Sequence, residues 1–110
     1  MKLPTFEAGF YEVDNAESTH LEYPDSFWIP EKKLRESLKS GDLVKLVFRM
    51  QTIKDSDDLS VERMWVKITK AGTDFYTGTL DNDPVGSDCL SYGQTVSFKP
   101  CHIIDIYDEQ

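Results

Sequence analysis

Two histidines and two cysteines, His20, His102, Cys89 and Cys101, make up the nucleophilic and soft-ligand inventory of this chain. A thiol nucleophile needs a base within hydrogen-bond reach. Cys101 and His102 are neighbours, so on a strand their side chains leave opposite faces and cannot pair with each other. Cys101 with His20 would need a tertiary contact that spacing does not specify. Cysteine left outside such a pair behaves as a small hydrophobe. Structural zinc sites present their ligands in closely spaced pairs, whereas Cys89 and Cys101 are twelve positions apart. These residues therefore predict no catalytic group, no metal and no cofactor.

The carboxylates are more numerous. Asp81-x-Asp83 begins the alternation of a calcium loop, but Val85 occupies the next ligand position; such a loop also needs a central glycine and a distal Glu. Asp81-Asn82-Asp83-Pro84 reads instead as a turn whose side chains bond their own backbone. A glycosidase pair is defined by a distance between two carboxyl groups, which the 20 acids of the chain do not reveal. No glycine-rich phosphate loop is present, since Gly41 and Gly72 are isolated.

The chain has 110 residues and a net charge of −8. That charge repels nucleic acid and anionic membranes and speeds encounter with basic proteins. The first residues lack the basic-then-apolar order of a signal peptide. No apolar run approaches the roughly 20 residues of a membrane helix. The expectation is a single domain over residues 1–110, located in the cytoplasm with reduced thiols.

The elements that must position these groups are mainly strands. Val44, Leu46, Phe48 and Met50 alternate with Lys45, Arg49 and Gln51 over 42–53. Met64, Val66 and Ile68 alternate with Arg63, Trp65 and Lys67 over 61–70. Each pattern predicts a strand with one buried face. Further strands are predicted over 75–81, 95–99 and 103–107, with Gly78 marking a bulge or a close backbone approach and Pro100 limiting pairing between the last two. A short helix is predicted over 30–39, opened by Pro30, supported by a Glu31–Arg35 pair and closed by Gly41 in the left-handed conformation. Residues 1–26 are poorly patterned and read as a short strand followed by a loop. In Phe27-Trp28-Ile29, one side chain must face outward if the piece is extended. The fold class is α+β, mainly β: a small bent antiparallel sheet or partly open barrel of about five strands with one short helix.

The stretch 27–107 resembles a bacterial family classed as domain of unknown function 2314. The blocks that carry the likeness are Phe27 and Ile29-Pro30, Gly41-Asp42-Leu43-Val44-Lys45-Leu46, and Glu62-Arg63-Met64-Trp65-Val66. They continue with Gly78-Thr79-Leu80-Asp81-Asn82-Asp83-Pro84, Gly93-Gln94-Thr95-Val96-Ser97-Phe98 and His102-Ile103-Ile104. Many relatives place an acid where this chain has Gln94. The resemblance implies a compact β-rich domain and no established activity.

Function is therefore argued from charge. The leading expectation is a non-enzymatic protein of the bacterial cytoplasm that captures a basic protein partner. Its concrete form is an immunity protein covering the positive groove of a toxin such as a nuclease. The expected contact residues are Asp55, Asp57, Asp58, Asp81, Asp83 and Asp88. Trp65 joins them, because Trp, Tyr and Arg anchor interfaces; it either covers the second face under the helix or lies exposed beside Arg63, Lys67 and Tyr76. The alternative is a small-molecule binder or small enzyme with a pocket between helix and sheet, using His102, Asp105 and Tyr107 from the last strand.

Overall fold

Alternation over 43–51 and 59–71 sets the architecture. In the computed structural model, which describes residues 2–108, Leu43–Gln51 forms strand β2 and Leu59–Ala71 forms β3, paired antiparallel along nine positions from Leu43↔Lys67 to Gln51↔Leu59. Tyr76–Leu80 (β4) continues the sheet from β3, and Thr95–Phe98 (β5) continues it from β4. The other edge of β2 is shared end to end by two short strands. Tyr11–Val13 (β1) pairs with positions 48–50, and Ile103–Ile106 (β6) pairs with positions 44–46. The result is a six-stranded antiparallel sheet curled into a half-barrel.

The concave face holds the core. Val44, Leu46, Phe48, Met50, Val66 and Ile68 are essentially solvent-free, as are Leu80, Val96 and Phe98. A Cβ on Gly78 would stand 2.4 Å from the carbonyl oxygen of Lys67. The expected close approach is therefore present, and it faces the register shift of β3 between Ile68 and Lys70. A second, smaller cluster lies on the convex face, where Val47, Ala16 and Ile104 pack with Phe27 and Ile29. Trp28, between those two, is 70% exposed, so it is the outward member of the triplet.

The helical content departs from the expectation of a single short helix. Phe6–Gly9 (α1), Ala16–Glu22 (α2) and Lys32–Arg35 (α3) are all helical, and Pro100–His102 makes a 3₁₀ turn. The first 26 residues are thus better ordered than a strand and a loop. Thr5 Oγ1 accepts from Ala8 N–H and Asn15 Oδ1 from Ser18 N–H, two N-caps that start α1 and α2.

The predicted helix over 30–39 shrinks to four residues for a visible reason. The Tyr76 hydroxyl donates to Arg35 O at 2.7 Å and accepts from Leu38 N–H at 3.3 Å. Lys39 N–H turns to Asp42 Oδ2. The backbone groups that would have carried the next turn are satisfied elsewhere. The expected Glu31–Arg35 pair is replaced as well: Arg35, only 4% exposed, reaches back to Glu17 Oε2 at 2.6 Å and donates to Pro30 O and Pro100 O. One guanidinium thereby ties α2, α3 and the 3₁₀ turn together. Gly41 does take positive φ (99°), but in the turn into β2, beyond the helix end.

Candidate functional site

The groups that chemistry would recruit first are engaged in holding the fold. His20 Nδ1–H donates to Phe27 O at 2.6 Å. His102 is buried, and its Nδ1 accepts from Lys99 N–H at 3.0 Å, closing the 3₁₀ turn reciprocally with His102 N–H on Lys99 O. Burial, followed by the charge of Lys99, lowers its pKa to about 4. Cys89 and Cys101 are free, half-buried thiols. Burial first, then Glu17, pushes the Cys101 thiol above its ordinary pKa, away from the thiolate that nucleophilic attack requires. No cluster of three or more potential metal ligands occurs among the described residues.

The expected trio His102, Asp105 and Tyr107 does not assemble. His102 belongs to the 3₁₀ turn and faces inward, while Asp105 and Tyr107 border a trough of about 480 Å³ with Trp28, Leu34, Leu38 and Ile106. That trough does lie between the α3 segment and the sheet. It is largely apolar, and Leu34 and Tyr107 are both more than half exposed along it.

The six loop aspartates, Asp55, Asp57, Asp58, Asp81, Asp83 and Asp88, are all exposed, and the structure brings their two loops together. On the edge of β3 away from β2, Leu59 to Trp65 have no strand partner among the described residues; residues 81–88 run along it instead. Asp81 N–H donates to Trp65 O, and Asn82 Oδ1 accepts from Trp65 N–H at 2.6 Å. At the far end Asp88 N–H donates to Thr52 O, and the Ser87 hydroxyl donates to Gln51 O. The Asp81–Pro84 turn therefore bonds across to β3 rather than closing on its own backbone. At roughly 3.3 Å per strand residue, the acids line a strip about 20 Å long. Ile53, Leu59, Val61 and Val85 are exposed beside them, Val85 at 93%.

Glu62, absent from the expected site, fixes this strip. Its carboxylate accepts from Val85 N–H, Gly86 N–H and Ser60 Oγ–H. Burial acts to raise its pKa, but the bonds from Val85, Gly86 and Ser60 outweigh it and hold the carboxyl below its ordinary value. A Cβ on Gly86 would fall 2.2 Å from Ser60 Oγ, so only glycine lets the loop come this close. The signal was available in the strand: Glu62 shares the inward parity of Met64, Val66 and Ile68, and an inward carboxylate demands donors.

Trp65 lies at one end of the strip, half-buried on the convex face with Arg63 and Lys67 as expected. No helix covers it. Lys45 Nζ stands 4.6 Å over its ring and Tyr107 meets it edge-on at 5.9 Å. Tyr76, expected beside it, is instead buried in the concave core against Phe98, because it shares the face of Gly78 and Leu80. Across the sheet, Trp65 of β3, Lys45 of β2 and Asp105 of β6 stand in register. Lys45, Arg63 and Asp105 also border a hollow of about 300 Å³ with Phe27, Trp28 and Ile104.

No helix among the described residues is long and apolar enough to cross a membrane. The chain matches no family model, no curated protein and no solved structure.

Proposed function

We propose that this is a non-catalytic binding protein whose acidic strip takes a basic protein partner. An immunity protein that covers the positive groove of a toxin such as a nuclease is its concrete form, acting in the bacterial cytoplasm. The observation that carries this reading is the meeting of two loops with six exposed aspartates, 81–88 along one edge of β3 and 52–58 at its end, with Val85, Ile53 and Leu59 exposed beside them. Carboxylates arranged this way compete with phosphate for a cationic groove and accelerate encounter. Apolar side chains between them supply contact area that charge alone does not. Membership of the family classed as domain of unknown function 2314 is part of the same proposal and adds no activity to it.

The test is capture of a partner from the native host, followed by measurement of the association rate with purified components. Neutralising Asp57, Asp58, Asp83 and Asp88 to Asn is expected to slow association about tenfold or more at low salt, with an unchanged circular dichroism spectrum. Raising the salt should erase the difference between the two proteins. Binding that ignores both salt and the substitutions, or no partner at all, defeats the proposal.

A second reading, a small-molecule binder with a pocket between helix and sheet, is favoured by one observation: the apolar trough beside Asp105 and Tyr107.

A further inference from the structure

The convex face holds a local reversal of the chain's charge. Lys45 lies opposite Trp65, and Arg63 lies opposite Val47, two positions along. The two cations are therefore diagonal cross-strand neighbours, within about 8 Å of each other. Three of the 12 cations of this chain are held by carboxylates among the described residues. Arg35 holds Glu17 and Arg49 holds Asp14, each at 2.6 Å, and Lys39 reaches Asp42. Lys45 and Arg63 have no ion pair among the described residues; they rest on aromatic faces, Lys45 on Trp65 at 4.6 Å and Arg63 on Phe27 at 5.7 Å. Like charges placed this way repel. In a chain carrying 20 acids, two neighbouring cations without an ion pair among the described residues meet in one hollow, with Asp105 in register across from Lys45.

Trp28 and Asp105 border both this hollow and the neighbouring, largely apolar trough, whose walls are Leu34, Leu38, Ile106 and Tyr107 with Asp108 at the rim. With about 300 Å³ at the cationic end and about 480 Å³ at the apolar end, each part falls within the size range of small-ligand sites. We propose that the two hollows act as one cleft for a small amphipathic monocarboxylate, its carboxylate between Lys45 and Arg63 and its hydrocarbon body across Trp28 into the trough. Arg63 offers a planar fork suited to a carboxylate, and Lys45 a point charge. Asp105 does not fill the anion position: one of its oxygens accepts from Ile106 N–H, and it holds no cation within ion-pair distance among the described residues. It stands at the junction, where its charge weakens binding of the head group. The proposal rests on the second reading above; its cationic end adjoins the acidic strip, which starts at Trp65, directly opposite Lys45.

Octanoate is the probe, with acetate (head alone), octan-1-ol (body alone) and octylamine (reversed head) beside it. Binding is followed by the indole and amide resonances of Trp28 and Trp65. Octanoate is expected to shift both and to bind at least about tenfold more tightly than any of the other three, a gap of the size a charge-assisted contact supplies. Lys45→Gln with Arg63→Gln should remove that advantage while leaving weak octanol binding in place. Asp105→Asn should tighten octanoate several-fold and weaken octylamine. If octanol or octylamine binds as well as octanoate, the carboxylate assignment is overturned while the pocket reading stands. If none of the four binds the folded protein, both fall.

Discussion

The two faces of the β2–β3 ribbon are built from alternate residues of the same two strands, yet they do opposite things. The concave face is dry: Val44, Leu46, Phe48, Met50, Val66 and Ile68 have essentially no exposure. The convex face carries Lys45, Arg49, Arg63, Trp65 and Lys67, with only Val47 buried in the small cluster under Phe27 and Ile29. One face is held by the removal of apolar surface from water, which is non-directional and tolerant of detail. The other is held by pairwise contacts, each needing a specific partner at a specific distance. Stability therefore concentrates on the first face and recognition on the second.

The largest expected effect follows directly. Phe48→Ala removes a fully buried aromatic from the concave core and should cost about 3–5 kcal/mol. Trp65→Ala, on the convex face, gives up a cation–π contact and an edge contact, worth together about 1–2 kcal/mol. Urea unfolding midpoints measure both. Equal costs would erase the distinction between the faces.

The second effect tests whether polar contacts can matter as much as apolar ones where they are buried. Arg35 links Glu17, Pro30 O and Pro100 O from a site that is only 4% exposed. Arg35→Ala leaves two carbonyls and a carboxylate without their donor, a loss of about 3 kcal/mol. Arg35→Lys should recover little of it, because an ammonium cannot reach three acceptors arranged around a fork. Thermal unfolding of the two variants, with near-equal midpoints well below that of the parent chain, is the expected result. A lysine variant as stable as the parent would mean that charge alone, rather than the fork, ties α2 to the 3₁₀ turn.

The contrast between faces also explains what the sequence disclosed. Alternation located β2 and β3 and named their buried residues, because a period of two is imposed by the pleat itself. Gly78 marked a close approach for the same local reason. The helices were harder to read. α1 and α2 have four and seven residues, too short to display an apolar period. The shortening of α3 depends on the Tyr76 hydroxyl, 41 positions from Arg35, and nothing near Arg35 announces it. The loop aspartates were legible as exposed acids; their gathering into a strip depends on Glu62, whose inward parity was visible but whose donors, Val85 and Gly86, lie more than 20 positions away. Tyr76 shares its parity with Gly78 and Leu80, which puts it in the concave core and away from Trp65. The hollow that gathers Trp28, Lys45, Arg63 and Asp105 was beyond reach, since they come from four separate segments.

The smallest effect concerns a polar group placed at the edge of the apolar side. His102 is buried and neutral, with a pKa lowered to about 4 from an ordinary 6.5. The unfolded chain takes up its proton near 6.5 while the folded chain resists until about 4, so between those values the unfolded state binds more protons. Stability contributed by this residue is present above pH 6.5 and lost as the pH falls toward 4. Moving from pH 7 to pH 5.5 should cost about 1 kcal/mol through His102 alone. His102→Asn isolates that loss: an amide oxygen can accept from Lys99 N–H in place of Nδ1, and it carries no titrating proton. The expected result is a urea midpoint that falls less for the variant than for the parent chain over this interval, so that their stabilities approach each other by about 1 kcal/mol. Parallel pH profiles would mean that the imidazole is protonated in the folded protein. Lys99 N–H would then have lost its acceptor, and the 3₁₀ turn that carries the chain from β5 to β6 would be held by something other than this ring.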